Sequence, residues 1–183
     1  MNHKTIYADD DKESVRFLLR LRIPPLMVGL ALGIGVAFLT SQFEEVLAYN
    51  VRAAFFIPFV VYIAAAVGSQ THSIYSRDLK SGHAKFRNYI FKESILGIVL
   101  GVIFGVISLI IVNLWLKDER LAMSVGLAVL CAVSTAPIIA MIVTELLNDL
   151  HEDPAVGSGP IATVIQDATS ILIYGTVLSL ILL

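Results

Sequence analysis

Asp167 is the only Asp, Glu, Lys or Arg between Pro154 and Leu183, a stretch that otherwise reads as membrane. A carboxylate at mid-bilayer costs about 2.5–3.5 kcal/mol on insertion scales. Such a residue faces a water-filled path or a partner rather than lipid. Its companions fit that rule. Gly159, Thr163, Gln166, Asp167, Ser170 and Tyr174 recur at helical spacing and share one face, while Ile161, Ile165, Ala168 and Leu172 form the other. Hydroxyls, amides and water along one wall conduct a hydrated cation. The competing reading is an interhelical seam, with Asp167 hydrogen-bonded to a Ser or Gln of another helix.

A second polar patch, Gly68-Ser69-Gln70-Thr71-His72-Ser73, follows the small residues Ala64, Ala65 and Ala66, which leave room for close approach. Beside Asp167 it supplies oxygen groups to the same path; alone it reads as a membrane-exit segment. No His or Cys stands at ligand spacing from His72, so a transition-metal site is not indicated. A third cluster, Glu145, Asp149, Glu152 and Asp153, forms an acidic connection before the last span, free of Lys and Arg. Four carboxylates at the mouth of a path raise the local cation concentration or bind a regulatory cation. Pro154 and Pro160 then bracket Gly157, Ser158 and Gly159, a composition that opens a helix or leaves backbone groups facing water. The sequence contains no His-Glu-x-x-His or Gly-x-Ser-x-Gly, and no Gly-x-Gly-x-x-Gly opens a helix after a strand. Asp167 has no second intramembrane acid for a catalytic pair. The chain therefore reads as a non-enzyme.

The elements that must position these groups are transmembrane helices. The chain is 57% apolar and 15% charged, against about 25% charged in soluble domains. Its net charge of −2 carries no nucleic-acid footprint. Cys131, the single cysteine, sits in an apolar run and reads as a small buried hydrophobe. Ile23–Phe43, Ala53–Ser76, Ser94–Leu116 and Leu121–Thr144 lack Asp, Glu, Lys and Arg altogether, and Pro154–Leu183 is broken only by Asp167. A span needs about 20 residues, which predicts five transmembrane helices in an all-α membrane protein. No cleavable signal peptide is evident. Residues 1–22 form a short cytoplasmic N-terminal segment and 23–183 one transmembrane domain. Within the head, Val15–Leu21 alternates basic and apolar residues, as a short interfacial helix or a basic flank does.

Ten Lys and Arg (Lys4, Lys12, Arg16, Arg20, Arg22, Arg77, Lys80, Lys85, Arg87, Lys92) fall on one side, against Arg52, Lys117 and Arg120 on the other. The bias predicts a cytoplasmic N-terminus and an external C-terminus. Gly97, Gly101 and Gly105, and also Gly29 and Gly33, recur every four residues, as in closely packed membrane helices.

The segment Asp153-Pro154-Ala155-Val156-Gly157-Ser158-Gly159-Pro160, followed by Thr163, Asp167 and Leu172-Ile173-Tyr174, resembles the last helix of MgtE-type divalent-cation transporters. Phe56-Ile57-Pro58 through Gly68-Ser69-Gln70-Thr71 is similar to that family's second helix. The resemblance covers roughly residues 20–183. It implies a homodimer of five-helix chains in the inner (cell) membrane. The second and fifth helices would line a cation path on the dimer axis. Magnesium is the implied main substrate, held at Asp167 largely through its water shell. Gly68, Asp153, Ser158 and Gly159 would line or flank the path. Ala65-Ala66 stands where the family often has Gly-Asn, so an amide ligand is missing. The family's large cytosolic sensing part is not expected in this chain, which leaves gating to a separate cytosolic regulator.

These readings converge on a magnesium channel or transporter driven by the membrane potential. Asp167 is the ion-binding residue. Gly68, Ser69, Gln70, Thr71, Ser158, Gly159, Thr163, Gln166 and Ser170 are pore-lining candidates, and Glu145, Asp149, Glu152 and Asp153 are the acidic mouth. Two alternatives stand: the same fold moving Mn2+, Co2+ or Zn2+, or exchanging cations, and a non-transporting membrane subunit that needs a cytosolic partner.

Overall fold

A computed structural model describes residues 12–82, 84–149 and 159–183, with no side-chain detail at Pro25, Lys80, 147–149 and 159–161. Among the described residues there is no strand. The helices are α1 (Val15–Ser41), α2 (Glu44–Tyr49), a 3-10 turn (Val51–Phe56), α3 (Ile57–Lys80), α4 (Phe86–Leu116), α5 (Glu119–Asp149) and α6 (Gly159–Leu182). Five stretches are long and apolar enough to cross a bilayer: Val15–Ser41, Val51–Leu79, Phe86–Leu116, Glu119–Leu146 and Ala162–Leu182. They match the five expected spans, with shifted ends.

The shifts have local causes. Val15–Leu21 is not a separate interfacial helix: Ser14 caps it by accepting from the Phe17 amide, and the helix runs on to Ser41. The second span enters as a 3-10 turn because Pro58, which lacks an N–H, sits at the first turn of α3. Glu145 and Asp149 do not lie in a loop. α5 carries both, since Leu146-Leu147-Asn148 holds no helix breaker before Pro154.

α5 is the hub, packing on α3, α4 and α6, while α1 packs chiefly along α6. The core joins Val60, Ala64 and Val67 of α3 to Val125, Val129, Val133 and Ala136 of α5 and to Tyr174 and Leu178 of α6. The glycine row of α4 makes the tightest contact. A Cβ at Gly101 would lie 2.6 Å from the Leu130 carbonyl oxygen, and one at Gly97 would lie 2.8 Å from that of Ser134. Gly105 and Gly126 face each other across the same seam. Lipid gives helices no hydrophobic drive to associate, so this backbone approach supplies the contact. The expected pair on α1 behaves differently, because a Cβ at Gly33 would meet nothing within 4 Å.

This contrast is measurable. Gly101→Val is expected to cost about 1–3 kcal/mol through overpacking, seen as a lower melting temperature in detergent. Gly33→Val, at an open position, is expected to melt like the parent. Equal melting of all three proteins contradicts the seam.

Candidate functional site: the polar faces of α3 and α6

The polar stripe of α6 divides into two rows. Gln166, Ser170 and Tyr174 point into the chain's own interior. The Tyr174 hydroxyl donates to the Ala53 carbonyl at 2.6 Å, and Ser170 Oγ donates to the Gln166 carbonyl at 2.9 Å. Gln166 packs on Gly68, where a Cβ would stand 3.3 Å from Gln166 Oε1. Thr163 and Asp167 occupy the edge of the stripe, exposed and half-buried respectively. Asp167 makes no hydrogen bond or ion pair with any described residue. It lies five residues past Ala162, about 7.5 Å along the span at 1.5 Å per residue. That is midway between one end of the span and its centre.

α3 divides the same way. Gly68, Thr71, His72 and Tyr75 turn inward, whereas Ser69, Gln70 and Ser73 are exposed. Each inward polar group has a partner. Thr71 Oγ1 donates to Glu93 Oε2 of α4 at 2.8 Å. His72 Nδ1 lies 2.7 Å from Thr144 Oγ1 of α5. The Tyr75 hydroxyl, on a fully buried residue, donates to Glu145 Oε2 at 2.9 Å. One turn on, Tyr89 of α4 donates to Asp78, which also pairs with Arg77 at 2.8 Å. The Tyr75 and Tyr89 rings pack against each other at a tilt of 55°, with centroids 5.1 Å apart. These bonds fix the rotation of α3, and so fix which of its side chains face outward.

The outward row is different in kind. Ser69, Gln70 and Ser73 have no partner among the described residues. An amide in hydrocarbon without a hydrogen bond costs roughly 2–7 kcal/mol. A face carrying three such groups therefore meets water or another protein surface. The Gly68–Gln166 contact sets Ser69 and Gln70 at about the level of Asp167 along the bundle.

The other sequence candidates fall as follows. Glu145 belongs to the inward network. Asp149 lies in the last turn of α5 and Gly159 opens α6, both without side-chain detail. Ser158, Glu152 and Asp153 lie outside the described residues. Among the described residues no group of three or more His, Cys, Asp or Glu converges within the chain. Sequence reasoning missed Glu93, Tyr75 and Tyr89. The available signal was Glu93 itself, an acid at the very start of the apolar run that follows it.

Five spanning helices with a polar face turned out of the chain define a multi-pass helical membrane protein. Residues 57–177, from α3 through most of α6, match the MgtE family of divalent cation transporters. The chain belongs to that family. It is 32% identical over 162 residues to the magnesium transporter MgtE of Enterococcus faecalis, covering 87% of this chain and 36% of that protein. The MgtE magnesium transporters of Bacillus subtilis and Thermus thermophilus are 28% and 26% identical, over 84% and 88% of this chain and 35% and 36% of their own lengths. The chain thus spans little more than a third of each of these relatives.

The inward network gives a direct test. Tyr75→Phe and Glu145→Gln, alone and together, are expected to show a coupling energy of about 0.5–3 kcal/mol in a thermal-unfolding cycle. Additive effects contradict the bond.

Proposed function

We propose that this chain moves hydrated magnesium across the membrane, through a path on the two-fold axis of a homodimer lined by α3 and α6. One observation carries the reading: Asp167, the one acid of the Ala162–Leu182 span, is half-exposed and unpartnered at the level of the unpartnered Ser69 and Gln70. The three similar proteins are magnesium transporters by name, which supports the choice of ion.

Magnesium dehydrates reluctantly and is held by one or two carboxylates with several waters retained. Two Asp167 side chains, one from each subunit, meet that requirement. Empty, the pair repels itself; a divalent ion neutralises both. The outward Ser69, Gln70, Ser73 and Thr163 bond to the ion's water shell rather than to the ion. Thr71, Gln166 and Ser170 act at one remove: they hold the wall in place through their bonds inside the chain. Gly68 lets α3 and α6 approach. The acids that follow Glu145, namely Asp149, Glu152 and Asp153, gather cations at the cytoplasmic mouth. Glu145 itself fixes α3. The membrane potential drives entry, since two charges crossing 100 mV release about 4.6 kcal/mol, twice the single-charge value.

Purified protein in liposomes is expected to pass Mg2+ in response to an inside-negative potential. Asp167→Asn is expected to slow uptake by about tenfold or more, the consequence of losing roughly 1.4 kcal/mol of ion stabilisation. Gln70→Leu is expected to slow it less. Flux that is unchanged in Asp167→Asn, or no flux from the parent protein, contradicts the proposal.

A further inference from the structure

The other end of the bundle carries its own site. We propose that the cavity beside the α4–α5 turn binds the phosphate of an anionic phospholipid headgroup. The cavity has a volume of about 740 Å³ and is lined by Arg52, Asn113, Lys117 and Arg120, among others. Arg52, Lys117 and Arg120 are the three basic residues that the charge count assigns to this side of the membrane. All three line one cavity.

Their charges are uncommitted. None of the three side chains has an ion-pair or hydrogen-bond partner among the described residues. One carboxylate of the lining has partners of its own: Asp118 Oδ2 accepts from Asn50 Nδ2 at 3.1 Å, and Oδ1 accepts from the Leu121 amide at 3.0 Å. Glu119 is the remaining acid of the lining, so three cations face two carboxylates and the site keeps a net positive charge. Arginine and lysine in one concave site favour a phosphate oxyanion.

Lys117 supports the assignment from the backbone. It closes α4 in the left-handed conformation, φ 51° and ψ 39°, with its amide bonded to the Asn113 carbonyl. Glycine or asparagine normally fills that position. A lysine there accepts backbone strain, which points to use of its side chain.

The apolar rim selects a lipid over a free anion. Leu114 and Leu116 line the same cavity. Leu114 is 73% exposed and Trp115 beside it is 65% exposed, on the outer surface of α4. An exposed tryptophan at a span end marks the headgroup level. A phosphate at the cations therefore has its acyl chains beginning at Leu114 and running along the apolar face of α4. Inorganic phosphate makes no use of that face.

Native mass spectrometry of the full chain, released from micelles containing phosphatidylglycerol and phosphatidylcholine, tests the site. The parent is expected to retain phosphatidylglycerol preferentially. Arg52→Gln, Lys117→Asn and Arg120→Gln together are expected to lower that preference by about fivefold per charge removed; Asn suits the left-handed backbone at 117. If the triple variant does not elute as folded protein, Arg120→Gln alone carries the test, with about a fivefold loss. Millimolar inorganic phosphate is the second arm. Failure to displace the lipid supports the apolar rim as part of the site. Displacement in the parent keeps the phosphate chemistry but overturns the choice of lipid. An unchanged preference in the cavity variants, or no preference in the parent, overturns the proposal.

Discussion

Hydrocarbon offers a polar side chain no water to bond with, and this constraint organises the whole protein. Inside the chain it is met by pairing. Thr71, His72 and Tyr75 each find a partner on α4 or α5, and Tyr174 reaches back to the Ala53 carbonyl. Ser69, Gln70, Ser73 and Asp167 find none among the described residues. The same physics therefore sorts the polar residues of two helices into structural and outward-facing sets. The outward set is what gives the molecule a function to propose.

The two sets depend on each other. α3 carries both, separated by a rotation of about 100° per residue. Turning α3 by one position, so that Gln70 took the place of Thr71, would bury Gln70 and move Tyr75 out of its fully buried site. The bonds to Glu93, Thr144 and Glu145 oppose that turn. α5, which contributes Thr144 and Glu145, is itself seated on α4 by the Gly97, Gly101 and Gly105 row. A steric device on one side of the bundle thus holds the orientation of a polar face on another. The proposed magnesium path inherits its geometry from helix packing that touches no ion.

Much of this architecture could be read from residue order. Charge-free runs marked the five spans, because burying a charge in lipid is expensive whatever the fold. The family followed from two motifs around Gly68 and Asp167. The division of each polar stripe was not legible. Gly159 through Tyr174 occupies one broad sector of a helical wheel, and periodicity alone cannot say where a neighbouring helix cuts it. Gln166 and Asp167 are adjacent, yet one is packed on Gly68 and the other is half-exposed. Charge alone places Glu145 in an acidic loop, whereas α5 runs on through it to Asp149. Its partner Tyr75 lies 70 positions away. Gly33 has the spacing of a packing residue, yet a Cβ there would meet nothing within 4 Å among the described residues.

The central claim is that Asp167 serves as half of a symmetric, water-mediated cation site. Anomalous diffraction from crystals soaked in Mn2+ tests it most directly. The account predicts one peak on a two-fold axis between two Asp167 side chains, at a distance that leaves room for water. A peak bound within a single chain, or peaks at Glu152 and Asp153 with none near Asp167, would contradict it.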